Sequence, residues 1–278
     1  MCYLRGLETE EIQWDELKNA LKPVFKRIKG FYIVGAEPFL YKDLYQMIYD
    51  LKSMGIKAGI QSNGTIHRFE ILDVVDRFDT SIDGPEEIHD RIRGDGSYKK
   101  TMTMIEKAIE KGKMGIVSIT VMEENIFFVE ETIFKLIDSG VKRMDISPVV
   151  RWNRPGELIP LMPIGSYSQE FIQDFLGLVN RLKDIPGVTF SPDWLSVMPE
   201  RFFNAEKVED FYCGHFNALR IQPDGSVVHC QHIRKVFGNV LKEDVLRLWY
   251  VQMRSFREEL LKRNLYRFCR RCCRSEWL

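Results

Sequence analysis

Five of the six cysteines fall between Cys213 and Cys273, and the sixth is Cys2. Cys269-x-x-Cys272 places two thiols where one turn aims both at a single ion, and Cys273 follows with no obvious task. Cys213 and Cys230 flank GHFNALRIQPDGSVVH, in which ALRIQ and SVVHC are strand-like and PDG is a turn. Such a hairpin brings Cys213 and Cys230 toward one end. Four thiolates from two segments suit a zinc ion or an iron–sulfur cluster. His215, His229 and His232 keep mixed Cys/His ligation of zinc open.

A second set of polar and special residues stands where apolar runs end: Glu37 after Gly35, Ser62-Asn63, Ser81 to Asp83, Thr120, and Ser147-Pro148. The elements that would position them alternate. Trp14, Leu17, Leu21, Val24, Phe25 and Ile28 have helical spacing, with Pro23 expected to kink or shorten the helix. FYIV (31–34) reads as a strand, and Leu44, Met47, Ile48, Leu51 and Met54 as a helix stopped by Gly55. KAGIQ (57–61) is the next strand, HRFEILDVVDRF (67–78) the next helical stretch, and TSID (80–83) ends another strand. A helix through Tyr98, Met102, Ile105 and Ile109, the strand GIVSITV (115–121), a helix with Val129, Ile133, Leu136 and Ile137, and KRMDISPV (142–149) complete the series.

Five strands spaced by helices or long connections imply an α/β fold with parallel pairing and right-handed crossovers. An open doubly wound sheet and a partial barrel are both compatible with this pattern. In either, ligands gather at the carboxyl ends of the strands, where the polar residues lie. Residues 151–166 hold three of the eleven prolines and read as a linker or lid. A helix is expected over 167–184, followed by VTFSPDW. From about 206 the chain turns to short strands, turns and cysteines. The predicted organisation is a core over 1–150, a connecting or lid region over 151–205, and a small α+β cysteine-rich domain over 206–278.

Charge is balanced, 40 Lys+Arg against 40 Asp+Glu, which argues against nucleic acid or an acidic membrane as the main partner. Arg267, Arg270, Arg271 and Arg274 read as a solvated basic tail. No run approaches the roughly 18 apolar residues of a membrane span, and no leader pattern opens the chain, so a cytoplasmic location is expected. In that compartment cysteines serve as metal ligands or redox groups before they serve as disulfides.

These motifs resemble the radical S-adenosylmethionine (SAM) enzymes that carry a C-terminal auxiliary-cluster domain of the SPASM or shorter twitch type. GAEPFLYKDL (35–44) is similar to the family's GGEP segment, with Ala36 in place of one glycine. QSNGT (61–65) is similar to its TNG-type segment, and SIDGPEEIHDRIRG (81–94) to the strand segment of the SPASM subgroup. Cys213-x11-Gly225-x4-Cys230, then FGNV (237–240), then Cys269-x2-Cys272, resembles the auxiliary domain. The resemblance implies a partial (β/α)6 barrel lacking its first strand, and a [4Fe–4S] cluster rather than zinc on Cys213, Cys230, Cys269 and Cys272.

It also implies a meaning for MCYLRG. Cys2 resembles the third cysteine of CxxxCxxC, the first two being absent from the chain as given, and would be a ligand of the SAM cluster. Glu37 would accept from the SAM ammonium, with Gly35 permitting close approach and Pro38 fixing the turn. Ser62 and Asn63 would lie beside the methionine or ribose portion. Ser81 and Arg93 would contact ribose and carboxylate, with Asp83 orienting the loop and His89 and Asp90 capping the turn that presents Arg93. The segment Ser147 to Val149 would line the adenine. The implied activity is reductive SAM cleavage and hydrogen abstraction from an unassigned substrate, a peptide or small molecule, with a low-potential donor such as ferredoxin or flavodoxin. Catalytic residues are not assigned, and Arg151, Trp152, Arg154 and Trp194 are candidate substrate contacts.

Overall fold

The computed structural model describes residues 11–35, 37–149, 167–203, 211–213, 217–230, 235–261 and 275–277. They form two compact units: residues 29–149 with 167–203, and residues 11–28 with the described part of 211–277.

The first unit is built on a parallel sheet whose spatial order follows the chain. Its strands are β1 (Gly30–Ile33), β2 (Lys57–Gln61), β3 (Arg77–Ser81), β4 (Met114–Val121), β5 (Met144–Pro148) and β6 (Val188–Phe190). An order that never reverses puts every right-handed crossover on the same face, which separates a barrel-type sheet from a doubly wound one. Burial agrees. Ala58, Ile60, Phe78, Thr80, Val117, Ile119, Val121, Met144 and Ile146 are fully buried beneath the crossovers. Their alternate neighbours Gly59, Gln61, Arg77, Ser81, Ser118, Thr120, Asp145 and Ser147 are half-buried on the opposite, inner face.

The crossover helices are α2 (Leu44–Ser53), α3 (Ile71–Val74), α4 (Glu86–Arg93), α5 (Ser97–Glu110), α6 (Val129–Asp138) and α7 (Gln169–Leu182). Each long one buries an apolar stripe, as Leu44, Met47, Ile48 and Leu51 do in α2. The helical reading of 67–78 is corrected: only Ile71–Val74 is helical, and Val75 is already extended. Asp76 exchanges two bonds with Ala58, its N–H donating to the carbonyl at 2.9 Å and its carboxylate accepting from the N–H at 2.7 Å. Arg77 and Phe78 then enter β3 beside Gly59 and Ile60. The sixth strand, VTF, is too short to announce itself by periodicity.

The second unit contains α1 (Trp14–Leu21), which stops before Pro23 as expected, and a 3₁₀ turn at Phe25–Arg27. The sequence-based boundaries grouped these residues with the sheet. Instead, the Ile12 N–H donates to the Pro223 carbonyl at 2.8 Å and Arg27 Nη1 to Tyr250 Oη at 3.2 Å. An amphipathic stripe shows that a helix packs, not what it packs on. Strands β8 (Arg220–Ile221), β9 (Ser226–Val228) and β10 (Val236–Asn239) form an antiparallel sheet in the order β10-β9-β8. The PDG turn joins β8 to β9 as read from sequence, with Gly225 at φ +81°. Cys213 ends β7 (Phe211–Cys213), which pairs antiparallel with β11 (Ser275–Trp277).

Candidate functional site at the strand ends

At the end of β1 the Glu37 carboxylate closes a 3₁₀ turn by accepting from the Phe39 N–H at 3.0 Å, with Pro38 as the turn's first residue. The same carboxylate accepts from Ser62 Oγ at 2.7 Å and from the Asn63 N–H at 2.9 Å. Glu37, Ser62 and Asn63 are therefore one hydrogen-bonded unit across the ends of β1 and β2. The SNG turn is held from within: Ser62 Oγ accepts from the Gly64 N–H at 3.0 Å, and Asn63 Oδ1 from the Thr65 N–H and Oγ1 at 2.8 and 2.6 Å. Gly64 takes φ +74°, a conformation that favours glycine. Of roughly four acceptor positions on a carboxylate, Glu37 has spent three, which leaves one on Oε2. Among the described residues, a Cβ at Gly35 would meet nothing within 4 Å.

At the end of β3, Asp83 is fully buried. It accepts from Arg93 Nε at 2.6 Å and from the Thr120 N–H at 3.0 Å, while its own N–H donates to His89 Nδ1 at 3.1 Å. Arg93 keeps 25 % of its side chain exposed, and its η nitrogens have no partner among the described residues. Asp90 accepts from the Gly96 and Tyr98 N–H groups and from Ser97 Oγ, capping α5. Burial first, then the Arg93 charge, pushes the His89 pKa down to about 4, against a smaller upward pull from Asp83 and Asp90. Gly84 is required sterically, since a Cβ there would stand 2.7 Å from Ile88 Cγ2.

Ser81 is half-buried on the inner face, in register with Ser118. Ser147 lies on that face in register with Thr120. The Val149 N–H donates to the Val121 carbonyl at 2.8 Å, and its carbonyl accepts from Tyr167 Oη at 2.6 Å. Cys230 follows β9 and is half-buried. Cys213 is placed by its backbone alone. Cys2, Cys269 and Cys272, with Cys273, His215, His232, Arg151, Trp152 and Arg154, lie outside the described residues. Trp194 is buried at 4 % exposure against Phe202, which corrects its reading as a substrate contact.

Two residues escaped the sequence reading. Arg68, inside the stretch read as helix, donates from Nη1 to the Tyr41 carbonyl at 3.0 Å and pins the Glu37 turn. Asn125 is fully buried. Its Nδ2 donates to the Asp83 and Thr120 carbonyls at 2.7 and 2.8 Å, and its Oδ1 accepts from the Met122 N–H at 2.7 Å. Only its position just beyond a strand hinted at this. Asn125→Ala is expected to lower stability by about 2 kcal/mol, because it leaves three backbone groups unpaired. Urea denaturation reads this directly, and a loss below about 0.5 kcal/mol would show that water replaces the amide.

Residues 2–136 match the model of the Radical SAM superfamily. Residues 213–273 match SPASM, an iron–sulfur cluster-binding domain. The chain carries a radical SAM domain and a SPASM domain. It is 24 % identical over 260 residues to the AdoMet-dependent heme synthase of Oleidesulfovibrio alaskensis, covering 86 % of this chain and 66 % of that protein. It is 22 % identical over 250 residues to the antilisterial bacteriocin subtilosin biosynthesis protein AlbA of Bacillus subtilis, covering 83 % and 53 %. The chain thus spans about two thirds of the first curated relative and about half of the second. In fold it is similar to native anSMEcpe with bound AdoMet and Kp18Cys peptide, with TM-score 0.70, 15 % identity, and coverage of 99 % and 83 %.

The two domains imply [4Fe–4S] clusters and SAM as cofactors of this radical SAM protein. The strand-end residues fit SAM: one carboxylate acceptor of Glu37 suits an ammonium, and the unspent edge of Arg93 suits a carboxylate. Of the cluster's candidate ligands, only Cys213 and Cys230 fall among the described residues. No group of three or more His, Cys, Asp or Glu among those residues is arranged to hold a metal ion. No helix among them is long and apolar enough to cross a membrane.

Proposed function

We propose that this chain holds SAM across the ends of β1 to β5 and uses it as a radical SAM enzyme acting on a peptide or cofactor precursor. The observation that carries the reading is the pair of preset, partly unspent groups: Glu37, fixed by Ser62 and Asn63, and Arg93, fixed by Asp83. Bound together, a reduced [4Fe–4S] cluster and SAM supply a 5′-deoxyadenosyl radical, the agent that abstracts hydrogen. The protein's share is orientation, since both partners of SAM's amino-acid end are locked before it arrives. Gly35, Ser62, Asn63, Ser81, Ser147 and Val149 would line the ligand, with Asp83 behind Arg93. Cys2 would be a ligand of the SAM cluster. Cys213, Cys230, Cys269 and Cys272 would hold the auxiliary cluster, whose chemistry there would be electron transfer, and ferredoxin or flavodoxin would supply electrons. The two relatives, a heme synthase and a bacteriocin biosynthesis protein, support that substrate range.

Protein from its own source, purified anaerobically and reduced with dithionite, is expected to release 5′-deoxyadenosine from SAM. Iron and acid-labile sulfide without that product would move the assignment to an electron carrier that holds only the C-terminal cluster. Zinc in place of iron would overturn the cluster. Glu37→Gln is expected to weaken SAM binding about 10-fold, the loss of one charge-assisted hydrogen bond. Equilibrium dialysis against labelled SAM measures it, and unchanged affinity would remove Glu37 from the site.

A further inference from the structure

Strand register places a second polar group on the inner face of the sheet, toward the amino ends of the strands. Tyr32 pairs with Gly59, Gly59 with Arg77, and Gln61 with Asp79, so Tyr32, Gly59, Gln61, Arg77 and Asp79 share that face. Asp79 is 2 % exposed. Its Oδ2 accepts from Tyr32 Oη at 2.6 Å, and its Oδ1 from Arg77 Nε at 2.8 Å and the Ile116 N–H at 2.7 Å. Arg77 nevertheless keeps 41 % of its side chain exposed, and its η nitrogens have no partner among the described residues. Three of the roughly four acceptor positions on the buried carboxylate are engaged, one of them by Arg77 Nε, which fixes the guanidinium without occupying its η edge.

Two glycines make this packing possible. A Cβ at Gly115 would stand 2.1 Å from Asp79 Oδ1 and 2.6 Å from Arg77 Cγ, and one at Gly59 would stand 2.8 Å from Tyr32 Cδ2. Arg77 and Asp79 thus lie against bare backbone at Gly115, and the Tyr32 ring lies across Gly59. Lys57, two residues before Gly59 on the same face, is exposed and adds positive potential. The nearest acid across the sheet on that face, Asp145, lies two strands away, roughly 10 Å, where Thr189 Oγ1 donates to it at 3.1 Å.

We propose that Arg77, oriented by Asp79, is a subsite for a carboxylate of the substrate. A guanidinium held at Nε presents its η edge as a planar pair of donors, which matches the two oxygens of a carboxylate. Arg77 and Ser81 open and close β3, so the subsite stands roughly 13 Å along the strand from the end at which SAM is proposed to bind. The substrate must therefore carry its carboxylate on the order of 10 Å from the reacting carbon, which a free amino acid cannot do and a peptide or macrocycle can. The role of Arg77 as a substrate site rests on the function proposed above; its carboxylate binding does not.

The test uses the full chain, without SAM, titrated with acetate at constant ionic strength while the arginine side-chain N–H resonances are followed by NMR. Two arginines are expected to shift saturably, Arg93 at the SAM end and Arg77, each with acetamide at least 10-fold weaker. Arg77→Lys, which keeps the charge and loses the fork, is expected to remove one of the two signals and weaken acetate at that site at least 10-fold with the urea midpoint preserved. A non-saturating response, equal binding of acetamide, or unchanged affinity in Arg77→Lys would each overturn the subsite. If that variant does not fold, the same titration in Arg93→Lys decides, where one saturable signal that prefers acetate should remain. Failure here beside intact SAM cleavage removes only the subsite, and saturable binding beside absent cleavage removes only the enzymatic reading.

Discussion

Asp83→Ala is expected to lower stability by about 3 kcal/mol and to remove measurable SAM binding. Asp83 has no solvent exposure and satisfies Arg93 Nε and the Thr120 N–H with one carboxylate. Deleting it leaves a guanidinium without its anion and a backbone donor without an acceptor. Breaking a buried pair from one side costs about 3–5 kcal/mol. The lower end applies because Arg93 retains 25 % of its side-chain surface in solvent. Asp83→Asn, which keeps an acceptor toward Thr120 but not the charge, is expected to lose about half as much. The two effects separate by measurement, since urea denaturation reports the fold and equilibrium dialysis the ligand. A stability loss under 1 kcal/mol in the alanine variant would mean that Arg93 finds water or another anion, and the orienting role of Asp83 would fall.

Acidification is expected to destabilise the sheet unit through His89. Its ring is fully buried, and Nδ1 already accepts from the Asp83 N–H. The neutral ring therefore carries its proton on Nε2, and a second proton would have to enter where a donor already points. The folded pKa, about 4, lies below the ordinary 6.5. Between these values the unfolded chain binds more protons than the folded one. The stabilisation is complete above pH 6.5 and is lost as pH falls toward 4, about 3 kcal/mol in all. Carboxylates titrate nearby, so the informative quantity is the difference from His89→Asn, which preserves an acceptor for Asp83 without titrating. Urea midpoints at pH 7.0 and 4.5 should converge between the two proteins as pH falls. Parallel slopes would assign the acid sensitivity to other groups.

The SIDGPEEIHDRIRG segment shows how much of the site was legible. Its resemblance to the SPASM subgroup implied that Asp83 orients the loop carrying Arg93, and in the structure Asp83 accepts from Arg93 Nε. Asn125 was not legible, because its partners are the backbone carbonyls of Asp83 and Thr120, which every sequence possesses. Arg77 was hidden for a different reason. Apolar spacing in HRFEILDVVDRF satisfied a helix, and only pairing with β2 drew Arg77 and Phe78 into β3.

Local chemistry settled what it controls. Pro23 ended α1, PDG made the hairpin turn, and Gly55 and Gly112 followed their helices. These depend on backbone preferences and on the period of burial, which a chain carries residue by residue. Strand order, register and the partner of α1 depend on contacts among residues far apart in sequence, where many pairings bury similar area. The open choice between a doubly wound sheet and a barrel was resolved by an order that never reverses. That same order leaves the inner face uncovered by crossovers, because right-handed connections place them all on the other side. The amino-acid sequence thus determined which residues are chemically competent, and the tertiary structure decided which of them meet.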